Sequence, residues 1–188
     1  MTVYLKLHWV LGKIVSMGTH LDSIKILTNE QLSSLVEKWL ESLEHERRLS
    51  QNTIISYTLD LKSFLTFLSA HSGGMVSLNT IQTLTSSDLR AFFSNRLQNQ
   101  IQKRSNARTL SCIKAFFKYL NRLGHLETNI AASFSAPRLP KLLPRPLTSN
   151  QAVELVNLRS ETWQELRDMA LFTLLYGAGL RISEALNL

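Results

Sequence analysis

The sequence predicts an all-α protein: a first domain of four to five helices, a proline-marked linker, and the opening helices of a second unit. Three observations carry this. Apolar residues recur at spacings of three and four from residue 29 onward, and no stretch of strict alternation competes with them. All four prolines, Pro137, Pro140, Pro144 and Pro146, fall within ten residues. The stretch after them, residues 148–188, is too short to close a core of its own.

Taken in order, Thr28 with Gln31 forms a capping-box start. The helix after it places Leu32, Leu35, Val36, Trp39, Leu40 and Leu43 on one face. A second helix follows Ser50 and repeats the spacing with Ile54, Tyr57, Leu61, Phe64, Leu65 and Leu68. Ser72, Gly73 and Gly74 then break the chain. Thr85, with Asp88 in the first turn, opens a third helix carrying Leu89, Phe92, Phe93 and Leu97. The fourth runs from about Ser105 to Leu123 and stops at Gly124. In SFSAPRLPKLLPRPL each proline lacks an amide donor and restricts its predecessor, so residues 133–147 read as an extended basic linker. Helical signals resume at Thr148, with Gln151 three residues on. A further helix from Trp163 to Tyr176 carries Leu166, Ala170, Leu171, Leu174 and Leu175, and YGAGLRISEALNL begins another.

An apolar share of 44% and a charged share of 19% belong to a globular chain. The single cysteine, Cys112, excludes an internal disulfide and points to a reducing, cytoplasmic setting; on an apolar helix face it reads as packing. The first stretch, MTVYLKLHWVLGKIVSMG, is interrupted by Lys6, His8 and Lys13. It is too short to span a bilayer and lacks the pattern of a secretory signal. Residues 1–28 are expected to form a mobile extension, with no membrane role.

The net charge of +7 is unevenly placed. Residues 1–88 carry seven basic and eight acidic side chains, and residues 127–188 carry six of each. Residues 89–126 hold Arg90, Arg96, Lys103, Arg104, Arg108, Lys114, Lys118 and Arg122 and no acid. At about 100° per residue, Arg104, Arg108, Lys114, Lys118 and Arg122 share one arc of about 120°. Leu110, Ile113, Phe116, Phe117, Leu120 and Leu123 fill the opposite side. A helix of this kind can neutralise phosphates and enter the major groove of duplex DNA. Arg104 and Arg108 are the candidates for groove contacts; Lys114, Lys118 and Arg122 are candidates for the backbone. Charge alone points to a polyanion and does not choose between DNA and RNA, and an acidic protein partner is the competing reading.

The segments SQNTIISYTLDLKSFLTFL, RTLSCIKAFFKYLNRLGHLETNIAASFSAPRLPKLLPRPLT and RDMALFTLLYGAGLRISEALNL resemble the Xer-type tyrosine recombinases of the phage-integrase family. The first two resemble helices of the N-terminal, SAM-like core-binding domain and the linker after it. The last resembles the helix, turn and Arg-x-Ser-Glu motif that opens the catalytic domain. The resemblance covers residues 29–188, with Ile130 standing where the family commonly has proline.

The resemblance implies a core-binding domain over 29–132, a linker over 133–147, and the start of a catalytic domain over 148–188. It implies a clamp on double-stranded DNA, cleavage by a tyrosine through a 3′-phosphotyrosine without metal or ATP, and a related recombinase subunit as partner in a tetramer on two sites. Chromosome-dimer resolution and mobile-element integration are both open. Thr53 and Tyr57, in the matching second helix, join the five cations as expected DNA contacts. Arg181 matches the first catalytic arginine, which would hold the non-bridging phosphate oxygens, and Glu184 would orient it. Gly177 and Gly179 would let the chain turn between the two helices. The family's lysine, His-x-x-Arg pair and nucleophilic tyrosine all lie beyond that motif, whereas only four residues follow Glu184 here. Tyr176 precedes Arg181 and reads as packing. The expectation is a front segment that binds DNA without cleaving it; the alternative is a non-catalytic DNA-binding module or an integrase remnant.

Overall fold

The computed structural model describes residues 20–127, 129–134, 147–157 and 162–186, the side chain of Val156 excepted. The chain divides into two compact units, residues 1–139 and 140–188. Regular structure among the described residues is helical, apart from an isolated bridge between Thr28 and Val76. Most of the expected linker, residues 135–146, lies outside the described residues, as do residues 1–19 of the expected extension.

In the first unit, residues 20–27 are helical and Ile24 is sealed in the core. The mobile extension expected over 1–28 therefore does not reach that far. Its last residues are anchored by an apolar side chain and by paired backbone. The Val76 amide donates to the Leu27 carbonyl at 2.8 Å, and the Asn29 amide to the Val76 carbonyl at 3.1 Å. The same bridge moves the first cap. The Thr28 hydroxyl donates to the Ile24 carbonyl, so Asn29 instead accepts from the Leu32 amide at 3.0 Å and starts α1 (Glu30–His45).

Helix α2 (Gln51–Ser72) starts at Ser50 and ends on Gly73, whose φ of 72° suits a residue without Cβ. A short α3 (Leu78–Gln82), not anticipated from the spacing, is capped by Ser77 and Thr80 and anchored by Leu78 and Ile81. Helix α4 (Ser86–Gln98) begins where the spacing predicts. The Thr85 amide donates to Asp88 Oδ2 at 2.8 Å and the Asp88 amide returns to the Thr85 hydroxyl. Helix α5 (Lys103–Arg122) is followed by Gly124 at φ 75°.

Helix α5 is the axis of this unit. Its apolar side buries Leu110, Cys112, Ile113, Phe116, Phe117 and Leu120. Phe116 meets Trp39 of α1 edge-on at 5.1 Å, and Phe64 of α2 meets Phe92 of α4 at 5.1 Å. Such aromatic pairs add about 0.5–1.5 kcal/mol beyond the area they bury. Leu123 departs from the expected apolar face and is exposed, because α5 has ended and the chain is already turning. Leu97, near the end of α4, is exposed as well.

The second unit holds α6 (Ser149–Val156), α7 (Trp163–Gly177) and α8 (Ile182–Ala185). Thr148 with Gln151, and Thr162 with Glu165, supply capping boxes to α6 and α7. Among its described residues only Ala152 and Ala185 are buried. Tyr176, expected to pack, lines a shallow apolar groove with Leu147, Leu155, Phe172 and Leu175, yet remains 57% exposed. Gly177 ends α7, and Gly179 alone of the two takes a left-handed φ, 65°. No helix among the described residues is long and apolar enough to cross a membrane, and none of their side chains cluster as metal ligands.

Candidate nucleic-acid interface

The outer side of α5 carries the cations that the sequence assigns to it, but they are not alike. Arg104 and Lys118 are exposed and have no carboxylate partner among the described residues. They lie 14 residues apart, about 21 Å along the helix. The Lys114 ammonium donates to the Ala132 carbonyl at 3.3 Å. Arg122 Nη1 lies 3.2 Å from Glu46 Oε2, with both side chains more than half exposed. A surface pair of this kind is worth about 0–1 kcal/mol and yields to competing anions.

Lys114, Lys118 and Arg122 border a groove of about 470 Å³ between α1 and α5. Trp39, Leu43 and Tyr119 supply its apolar lining, and Arg47 adds a cation from the chain between α1 and α2. Sequence reasoning missed Arg47. Counted over residues 1–88 the charge balances, which hid the adjacent Arg47 and Arg48 beside a helix start.

Arg108 is the main departure. Its Nε donates to Asp60 Oδ2 at 2.7 Å and its Nη2 to Asp60 Oδ1 at 3.2 Å. The Asp60 side chain is 5% exposed, against 48% for Arg108. A buried carboxylate must be paired and hydrogen-bonded, and the Thr109 hydroxyl completes the arrangement at 2.8 Å from Oδ1. The guanidinium expected to reach freely into a groove is thus already held on one edge. Asp60 also raises the Arg108 pKa by accepting its hydrogen bonds.

Arg96, one of the eight basic residues of the acid-free segment, is not part of the outer strip. Its Nε donates to Asn106 Oδ1 at 2.7 Å, its Nη1 to the Ser63 hydroxyl at 3.0 Å and its Nη2 to the Thr109 hydroxyl at 3.0 Å. The guanidinium lies 5.5 Å from the centre of the Phe92 ring. Burial lowers its pKa, and nearby Asp60 opposes that shift. Arg96 therefore ties α4 to α2 and α5.

Thr53 sits half-buried in the first turn of α2, its hydroxyl 2.9 Å from that of Ser50. Tyr57 stacks on Trp39 with ring centres 6.2 Å apart and planes 9° from parallel. Burial pushes the Tyr57 hydroxyl above the usual phenol range, and the nearby charges of Arg47 and Arg108 oppose that shift. Cys112 is fully buried and donates to the Tyr57 carbonyl at 3.3 Å. Burial raises its pKa far enough to make it inert packing, as its position on the apolar face predicts.

In the second unit, Arg181 caps α8. Its amide donates to Glu184 Oε2 at 2.9 Å and its Nη1 to Oε1 at 3.2 Å, with the arginine side chain 84% exposed. The pairing expected of these two residues is present.

Residues 36–124 match the family described as phage integrase, N-terminal SAM-like domain. The chain is 42% identical over 161 residues to "Tyrosine recombinase XerC" of Brucella suis, covering 84% of this chain and 51% of that protein. It is 37% identical over 175 residues to the protein of the same name from Rhizobium meliloti (91% and 55%). With the one from Rickettsia felis it shares 33% over 166 residues (86% and 54%). The chain belongs to the Xer-type tyrosine recombinase family. It spans about half the length of these curated relatives. No solved structure gives a significant match. The SAM-like match runs from within α1 to Gly124 and so contains the groove, Asp60 and the whole outer side of α5.

Proposed function

We propose that this chain is the DNA-gripping part of a site-specific tyrosine recombinase, and that its 188 residues bind duplex DNA without cutting it. The observation that carries this reading is the outer side of α5, a helix with no acidic residue of its own, where Arg104 and Lys118 stand exposed without a carboxylate partner among the described residues and Lys114 and Lys118 line a groove with Arg47. Cations spaced along a helix match the regular phosphates of a duplex, and the apolar groove lining favours contact over simple ionic attraction.

Arg104 and the outer edge of Arg108 enter the major groove; Lys114, Lys118, Arg122 and Arg47 track the backbone; Thr53 and Tyr57 border it from α2. Arg181, held by Glu184, grips the scissile phosphate when the remaining catalytic groups of the family are supplied. The cellular setting is cytoplasmic, and the partner is a related recombinase subunit on a neighbouring site.

Replacing Lys118 and Arg104 by Ala should weaken duplex binding, whereas Lys25→Ala, which removes a cation paired to Glu37 elsewhere, should not. A suicide DNA substrate should trap no covalent adduct with this chain. Equal losses from Lys25 and from the α5 cations would remove the proposed interface, and a trapped adduct would refute the inability to cleave.

A further inference from the structure

We propose that Asp60 is a positioning residue for DNA binding, which holds Arg108 so that one edge of its guanidinium faces the nucleic acid. This rests on the reading of α5 as the DNA-facing helix. A guanidinium has two edges that each offer a pair of parallel donors: the side edge, Nε with Nη2, and the end edge, Nη1 with Nη2. Asp60 takes the side edge through Nε at 2.7 Å and Nη2 at 3.2 Å. On the end edge, Nη1 makes no hydrogen bond among the described residues, and the side chain as a whole is 48% exposed. That edge is the one able to grasp two phosphate oxygens, or O6 and N7 of a guanine.

Asp60 cannot follow Arg108 outward. It is 5% exposed and is held by the Thr109 hydroxyl, which in turn accepts from Arg96 Nη2 at 3.0 Å. Arg96 is anchored on Asn106 and Ser63. The contacts link the half-buried Arg96 through Thr109 and Asp60 to Arg108. An arginine left to itself loses considerable rotamer freedom when it binds; one clamped beforehand does not.

The sign of the effect makes the proposal distinct. In a point-charge picture, removing an acid beside a polyanion site strengthens binding. Positioning predicts the reverse.

The experiment measures affinity for a mixed-sequence DNA duplex at fixed salt, with thermal melts to establish folding. Asp60→Asn should weaken binding by about three- to tenfold, the range expected for freeing one long side chain. In an Arg108→Ala background the same substitution should have no further effect. Unchanged or tighter binding by D60N overturns the proposal. So does an equal loss in the Arg108→Ala background, which would mark a general structural role. If D60N does not fold, Arg108→Lys decides, because an ammonium keeps the charge but cannot serve Asp60 and DNA with separate edges. A several-fold loss supports positioning, and unchanged affinity overturns it. Wild-type protein that binds no duplex at all would sink the DNA reading itself, and this proposal with it.

Discussion

The two units of the chain are built from the same kind of amphipathic, capped helix, yet only the first closes a core. Helix α5 buries Phe116, Phe117 and Ile113 between α1 and α2, whereas α7, with comparable apolar spacing, buries no residue. Trp163, Leu166 and Leu174 stay exposed. Periodicity specifies a face; burial requires a partner of complementary shape. The first unit has several such partners, and the described residues of the second offer α7 only the short α6 and α8.

The largest expected effect sharpens that contrast. Phe116→Ala should destabilise the first unit by about 3–5 kcal/mol, as expected for a large core side chain, while Leu174→Ala should cost under about 0.5 kcal/mol. Denaturant titration monitored by circular dichroism checks both, and comparable losses would dissolve the distinction. Hydrogen exchange extends it. Amides of α5 should open only with global unfolding, and those of α7 through small local openings.

A smaller effect concerns the caps. Thr85→Ala should cost about 0.5–2 kcal/mol, the usual loss for an N-cap hydroxyl. Asp88 adds a pH dependence. Hydrogen bonds from the Thr85 amide and hydroxyl hold its carboxyl below the ordinary range, with charge from His71 adding to them. A depressed carboxylate contributes stability that is full above its unfolded value, about 3.9 for aspartate, and is lost as pH falls through the folded value. Asp88→Asn should therefore flatten the acid limb of the stability curve below about pH 4 and leave its slope near neutrality unchanged. An acid limb identical to wild type would contradict this.

The smallest effect is at the surface. Glu46→Gln removes the partner of Arg122 and should change stability by less than about 1 kcal/mol. It should tighten DNA binding modestly, in the opposite direction to Asp60→Asn. The two acids face the same helix, one exposed and one buried, and opposite signs would separate charge from positioning.

The caps were readable in the sequence because they are local: Thr85 with Asp88, and Thr148 with Gln151, sit three residues apart and need nothing else. The faces of α1, α2 and α5 were readable for the same reason. Asp60 was not. Its partner Arg108 lies 48 residues away, and nothing local marks Asp60 as buried rather than solvated. The same distance hid the partners of Arg96, which the sequence shows only as one more cation of the acid-free segment. The shift of the first cap from Thr28 to Asn29 depended on the bridge to Val76, again a distant contact. Of the candidate site, the outward direction of α5 was legible; which of its cations are held in place was not.

The most direct test of the account is the salt dependence of duplex binding by the wild-type chain. If Lys114 and Lys118 engage phosphates alone, the log–log slope should be about −1.8, steepening toward about −3.6 as Arg122 and Arg47 join, at about −0.9 per contact. A slope near zero, with α5 intact by circular dichroism, would contradict a nucleic-acid face on that helix.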